Sequence, residues 1–295
     1  MDGLLQQIAN GAVLASAYIL VAVGLYLIFS VLDIPNFAHG EMFTVGAFTQ
    51  YALVVQLGVP FWPSLAAAAA TAAALGVLLE RTVFLRLRAK QANLVAFLIA
   101  GLAVGIILQE LLRSVFGTDA LAVPAPIEGL VTLGPVRMSM YRIVVIAVSL
   151  VSVAALGWLV YRSTFGTRLR ALALNRDLAA LSGINVSGVG TGAFAIGSGL
   201  AGLAGGLLSA TSSLTPYIGF HPTLVSFVIL IMVGAGARLA TVLAGGVVMA
   251  LVESLTAGYI GNSMREAAVF VLLIVFLVWR PHGLTRGADA QPARL

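Results

Sequence analysis

The chain has no cysteine, a single lysine (Lys90) and few charges of either sign: 9% of its 295 residues are Asp, Glu, Lys or Arg. Without cysteine there is no disulfide and no thiolate metal site. A soluble domain carries about 25% charged residues, so this chain lacks the polar surface that water demands. Its 60% hydrophobic content points instead to lipid as the surrounding solvent. Catalytic patterns are missing too. Lys90 follows Ala89, so there is no G-x-x-x-x-G-K-[ST] phosphate loop. The three histidines, His39, His221 and His282, are scattered. No nucleophile, metal or acid–base set assembles from them. The chain is expected to be neither an enzyme nor an ATPase, and to hold no cofactor or metal of its own.

What is present is a series of long apolar runs. A helix needs about 20 apolar residues to cross the hydrocarbon core. Runs free of Asp, Glu, Lys and Arg cover 3–32, 42–79, 91–109, 143–161, 178–237, 239–252 and 267–279. The second is broken at Gly58-Val59-Pro60 and Pro63, the fifth at Ser212-Ser213, Pro216, Gly219 and Pro222. Backbone polar groups in lipid must be satisfied internally. The spans are therefore helices, and the breaks belong at interfaces or in protein-lined cavities. The predicted fold is all-α: a polytopic transmembrane helical bundle of eight to nine spans with one or two broken or re-entrant elements. The spans lie near 8–31, 41–57, 62–80, 94–113, 142–161, 187–211, 223–236, 239–260 and 265–280. The first apolar stretch is too long for a signal h-region and lacks a basic leader, so it is expected to remain as a span.

Charge sets the orientation. Arg81, Arg86, Arg88 and Lys90 follow the third span, and Arg162, Arg168, Arg170 and Arg176 follow the fifth. With Arg238, Arg280, Arg286 and Arg294 they make 12 of the 16 basic residues. The positive-inside rule places these segments in the cytoplasm. The loop 114–141, with Asp119, Glu128 and Arg137, is then external, the tail 281–295 cytoplasmic, and the N-terminus external by parity. The net charge of +5 is thus a topology signal next to membrane lipid, with no nucleic-acid partner implied. No basic residue falls deep inside a span, which argues against an anionic group held mid-membrane.

Small residues recur four apart in 187–211: Gly197, Ala201 and Gly205, and again Ser198, Gly202 and Gly206. Small residues let helix backbones approach closely in lipid, so this span is expected at the centre of the bundle.

The segment from Thr167 to Asn185 lies in a cytoplasmic loop (162–186), yet it is rich in helix formers. Leu169, Leu172 and Ala173 share one face; Leu174, Leu178 and Leu181 extend a neighbouring one. Gly183 is a plausible helix stop. Such a helix needs cover for its apolar side, either the membrane surface or a groove on a soluble partner.

Taken together, these segments resemble the branched-chain amino acid permeases of the LivH type, among the ABC importer permeases. The 167–183 segment is similar to the family's "EAA" coupling loop, with Asp177-Leu178-Ala179-Ala180 where E-A-A is frequent. Asn10 to Glu41 is similar to the N-terminal signature ending in N-F-A-H-G-E. Gly219 to Gly246 resembles a region ending in a glycine-rich turn, with Gly236-Ala237-Arg238-Leu239 departing from the usual pattern. Phe270 to Gly283 resembles the last helix, ending in R-P-x-G-L. The likeness spans nearly the whole chain, as a single permease domain over 1–295.

The resemblance implies an inner-membrane subunit that alternates access to a central pathway. Its partners would be a second homologous permease, two cytoplasmic ABC ATPases that use ATP, and a periplasmic substrate-binding protein. It implies coupling residues at Arg170, Asn175, Asp177, Ala180 and Gly183. Branched-chain or other small amino acids are the implied substrates; urea, amides or aromatic acids are the alternative within the family. A stand-alone secondary transporter explains the spans but leaves the coupling loop without a purpose.

Polar residues at membrane depth are expensive and often functional. Asn36, His39 and Glu41, just after Pro35, either shape the pathway or its gate, or merely cap an interfacial helix. The same two readings apply to Gly219 and His221. Glu253 lies about 14 residues into its span, roughly 21 Å along the axis. A structural hydrogen bond is its first explanation, substrate contact its second. Gln109 and Glu110, near an external helix end, are expected to be solvated.

Overall fold

The computed structural model describes residues 2–33, 36–234 and 238–280. Pro35, Gly236, Ala237 and the tail 281–295, with His282, Arg286 and Arg294, lie outside the described residues.

Among the described residues, twelve α-helices carry the fold. They are α1 (Asp2–Leu32), α2 (His39–Tyr51), α3 (Phe61–Leu79), α4 (Leu85–Ala89), α5 (Leu94–Phe116), α6 (Met140–Arg162), α7 (Thr164–Leu174), α8 (Arg176–Leu181), α9 (Val186–Leu208), α10 (Phe220–Val233), α11 (Leu239–Tyr259) and α12 (Arg265–Trp279). Two π-turns extend them: Ala52–Gln56 continues α2, and Glu80–Phe84 fuses α3 to α4. Seven helical stretches are long and apolar enough to span a membrane: Gly3–Leu32, Phe61–Ala89, Leu94–Phe116, Met140–Arg162, Val186–Leu208, Leu239–Tyr259 and Asn262–Trp279. A count of eight to nine is reached only by adding the shorter elements α2 and α10. α10 begins within the break expected at 212–222, and α2 begins at His39, two residues before the expected start of the second span.

α9 is the hub, packing on α1, α2 and α3, while α1 also packs on α6, α10 and α11. The crossings occur at glycine. A Cβ on Gly24 of α1 would stand 2.5 Å from the carbonyl oxygen of Gly197, and one on Gly46 of α2 would collide with the backbone of Gly202. Backbone lies on backbone at both points, which only glycine permits. Gly197 and Gly202 belong to the small-residue pattern read from the sequence.

The loop 114–141 contains the sheet: an antiparallel hairpin of β1 (Leu130–Leu133) and β2 (Val136–Ser139), turning at Gly134. The start of α1 docks on it. Gln6 donates to the Arg137 carbonyl (3.1 Å) and accepts from the Arg137 amide (2.9 Å). α1 therefore starts on the hairpin face. At the opposite end, Tyr26 and Ser30 of α1 line one cavity with Tyr161, Arg170 and Arg238. That end is the arginine face of the molecule.

Candidate functional site

α9 and α5 give the depth scale, since Gly197 and Gly105 lie halfway along them. Gly24 meets Gly197, and Gly105 packs on the Glu41 side chain. The Asn36–Glu41 segment is therefore at mid-depth. Here the chain turns: the Asn36 side chain accepts from the Ala38 amide (3.1 Å) and its carbonyl from the His39 amide (3.2 Å). α2 then runs from mid-depth towards the hairpin face, since Gly46 meets Gly202. α10 starts beside it and runs the other way, with Ile229 and Val233 against Gly245 near the start of α11. The two breaks read separately in the sequence meet here. A Cβ on Gly219 would strike the Gly40 carbonyl, and one on Gly40 would strike Thr223. The Gly219 amide also donates to Thr44 (3.1 Å). Two half-helices thus start at a shared point, and their partly positive N-terminal ends converge.

His39 is fully buried, and its Nε2 lies 3.1 Å from the Val21 carbonyl. A carbonyl can only accept, so Nε2 carries the proton and Nδ1 is left as an acceptor. That Nδ1 is buried without a hydrogen-bond partner. Glu41 is buried and accepts from Gln109 at 2.7 Å. Gln109 is therefore not solvated as expected; it reaches inward to Glu41. Its neighbour Glu110 does face outward, pairing with exposed Arg113 (2.6 Å).

Glu253 and His221 come together with two residues that sequence reasoning did not pick. Glu253 is completely buried. Its Oε2 accepts from the Tyr18 hydroxyl (2.7 Å), and its Oε1 is 2.6 Å from the Arg265 guanidinium. His221 Nδ1 lies 3.3 Å from Tyr18, and its Nε2 3.8 Å from Glu253. The group opens on a polar cavity of about 360 Å³ that Glu266 also lines. One expectation is corrected: a basic group does reach into the bundle, because Arg265 at the start of α12 folds back onto α11. Glu253 has company as a buried acid, since Glu41 and Glu80 are buried as well. Glu80 pairs with Arg88 and accepts from Thr191 (2.8 Å). Glu80 and Arg88 lie eight residues apart, so regular helical spacing does not signal the pair.

The loop after α6 is two helices, where the sequence suggested one over 167–183. Asn175 adopts an extended backbone and its side chain caps α8, accepting from the Leu178 amide (2.9 Å). Asparagine competes for backbone donors in this way, and so breaks the run. α8 ends as foreseen. Gly183 has φ +82°, its amide bonds the Ala180 carbonyl and that of Ile184 bonds Ala179, a Schellman stop. Leu169, Leu172 and Ala179 are buried, whereas Leu174, Leu178 and Leu181 are 88%, 62% and 85% exposed. Asn175, Asp177, Ala180 and Gly183 lie on this exposed part. Arg170 does not: it donates to the Val160 carbonyl and lies 5.9 Å from the Tyr161 ring, tying α7 to α6. Among the described residues, no group of three or more His, Cys, Asp or Glu could hold a metal ion.

A polytopic helical bundle, with paired half-helices at mid-depth and a separate helical loop on one face, is the build of a membrane transport subunit. Residues 7–279 match the family described as branched-chain amino acid transport system / permease component, and the chain belongs to it. It is 29% identical to the high-affinity branched-chain amino acid transport system permease protein LivH of Escherichia coli K12, over 95% of this chain and 94% of that protein. The identity is also 29% to BraD of Pseudomonas aeruginosa, over 95% of each chain. It is 27% to a probable LivH of Methanocaldococcus jannaschii, over 96% and 93%. No solved structure matches.

Proposed function

We propose that this chain is the membrane-spanning permease subunit of an ABC importer for branched-chain amino acids, in the inner membrane with its arginine face and C-terminus cytoplasmic. The relatives' names support this substrate class over urea, amides or aromatic acids. α7 and α8 are the docking element for one of two ATPases, which use the ATP. A second homologous permease completes the membrane unit, and a periplasmic binding protein delivers substrate to the hairpin face. Asn36, His39, Glu41, Gly219, His221 and Glu253 border the pathway, around the point where α2 and α10 begin.

The observation that carries this reading is the division of leucines on α7 and α8. One row is buried in the bundle; the other is exposed where a soluble partner has access. A helix that laid all its leucines on the bundle would need no partner. Apolar anchors of this kind seat in a groove. Asp177 and Ala180 flank them, and Arg170 and Gly183 hold the helices in place.

Gly183→Val tests the assignment. A Cβ there meets nothing within 4 Å, and the backbone is left-handed at φ +82°, so the substitution acts through backbone conformation. Left-handed backbone costs an L-residue roughly 1–2 kcal/mol, enough to unwind the end of α8. The variant is expected to insert normally while losing ATP-driven leucine uptake and recovery of the ATPase on a tagged chain. Wild-type uptake by Gly183→Val would remove the coupling role. Uptake by the wild type that persists without ATP would favour a secondary transporter.

A further inference from the structure

We infer that Glu253 and Arg265 form an exchangeable ion pair that recognises a zwitterion: a substrate carboxylate takes Arg265, and a substrate ammonium takes Glu253. The inference rests on the permease reading above and names how the site reads the amino-acid backbone.

The pair is not closed off. Glu253 is wholly buried, but Arg265 is 29% exposed and lines two adjoining cavities. One is the polar cavity with Tyr18 and His221. The other, of about 350 Å³, is lined by polar Asn10, Arg142, Thr211 and Ser212 together with apolar Val13 and Leu208. Both volumes fall in the range of small-ligand pockets, about 300–1,000 Å³. The Arg265 side chain is 29% exposed and borders this cavity, and its Nη1 makes only a long contact, 3.4 Å, to Asn262. A carboxylate entering from the second cavity can take that end of the guanidinium. Its ammonium can then take the Glu253 oxygen that Arg265 releases, while Tyr18 holds the other oxygen.

Charge bookkeeping supplies the selectivity. Separating a buried pair is costly because each charge is left alone. A zwitterion replaces one ion pair by two and strands neither partner. An amine would leave Arg265 uncompensated, and an acid would leave Glu253 so. A neutral amide offers no exchange at all. Discrimination thus comes from the unpaired charges that wrong ligands create.

The chain has no cysteine, so Thr211→Cys gives this subunit a single thiol, in the second cavity, and labelling is read on this subunit's band. The experiment uses the complete transporter reconstituted in proteoliposomes. Maleimide labelling of that thiol is followed with leucine, isoamylamine or isovalerate present. Leucine is expected to slow labelling at least threefold; the two single-charge analogues are expected to leave it unchanged. The double variant Glu253→Gln/Arg265→Gln strands no charge, so it is the fair test of fold. It should keep its partner subunits, lose leucine protection, and take up leucine at least tenfold more slowly. Equal protection by either analogue, protection that survives in the double variant, or loss of the partners overturns the inference. A wild-type complex that takes up no branched-chain amino acid with ATP overturns the permease reading instead.

Discussion

Glu80 and Glu253 are both fully buried and both matched by one arginine, yet their surroundings differ. Arg88, the partner of Glu80, is 10% exposed, and Thr191 of α9 occupies the second carboxylate oxygen. Arg265, the partner of Glu253, is 29% exposed and borders open volume. The first pair is enclosed and joins α4 to α3 and α9 near the arginine face. The second has room beside it for another molecule. A buried pair by itself is weak evidence for stability or function; the accessible space next to it distinguishes a clip from a receptor.

Three variants, one of them with a rescuing second change, sharpen the contrast. Arg88→Met should be the most damaging, because it strands Glu80 with little space for water. A loss of about 3–5 kcal/mol follows, seen as a large fall in the unfolding temperature in detergent, and Glu80→Gln in the same chain should recover most of it. Arg265→Met should cost less, roughly 1–3 kcal/mol, as Tyr18, His221 and cavity water remain near Glu253. Equal losses at the two sites would erase the distinction. Leu178→Ser with Leu181→Ser should leave stability within about 0.5 kcal/mol, the usual range for surface changes. The same variant should sharply reduce ATPase recovery in a pull-down; undiminished recovery would place the docking surface elsewhere.

Much of this architecture is readable before any coordinates. Apolar length marks the spans, glycine–proline clusters mark breaks at 58–63 and 212–222, and the polar residues Asn36, His39 and Glu41 mark the segment after the first span. Glycines and serines four apart mark α9 as the hub. The partnerships are what composition conceals. Tyr18 meets Glu253 across 235 residues of sequence, and no local pattern encodes such a meeting. Glu80 and Arg88 are eight apart, a spacing that a regular helix does not align. The π-turn at Glu80–Phe84 inserts the extra residue that turns an aligned i, i+7 relation into i, i+8. The hairpin escaped because its strands are four residues each, too short to alternate convincingly. The division of 167–183 at Asn175 escaped because asparagine mid-segment is also compatible with a continuous helix.

Only four residues, Ser182 to Asn185, separate the end of α8 from the start of α9. Two of them are already committed, Gly183 to the stop of one helix and Asn185 to the cap of the next, accepting from the Gly188 amide (2.9 Å). The joint therefore has little slack. α9 rises about 34 Å from it, and its glycine crossings with α1 and α2 act as fulcrums that cannot compress. Any displacement of α8 at the foot must pivot α9 about these crossings, so the resulting tilt is largest at the hairpin end of the helix.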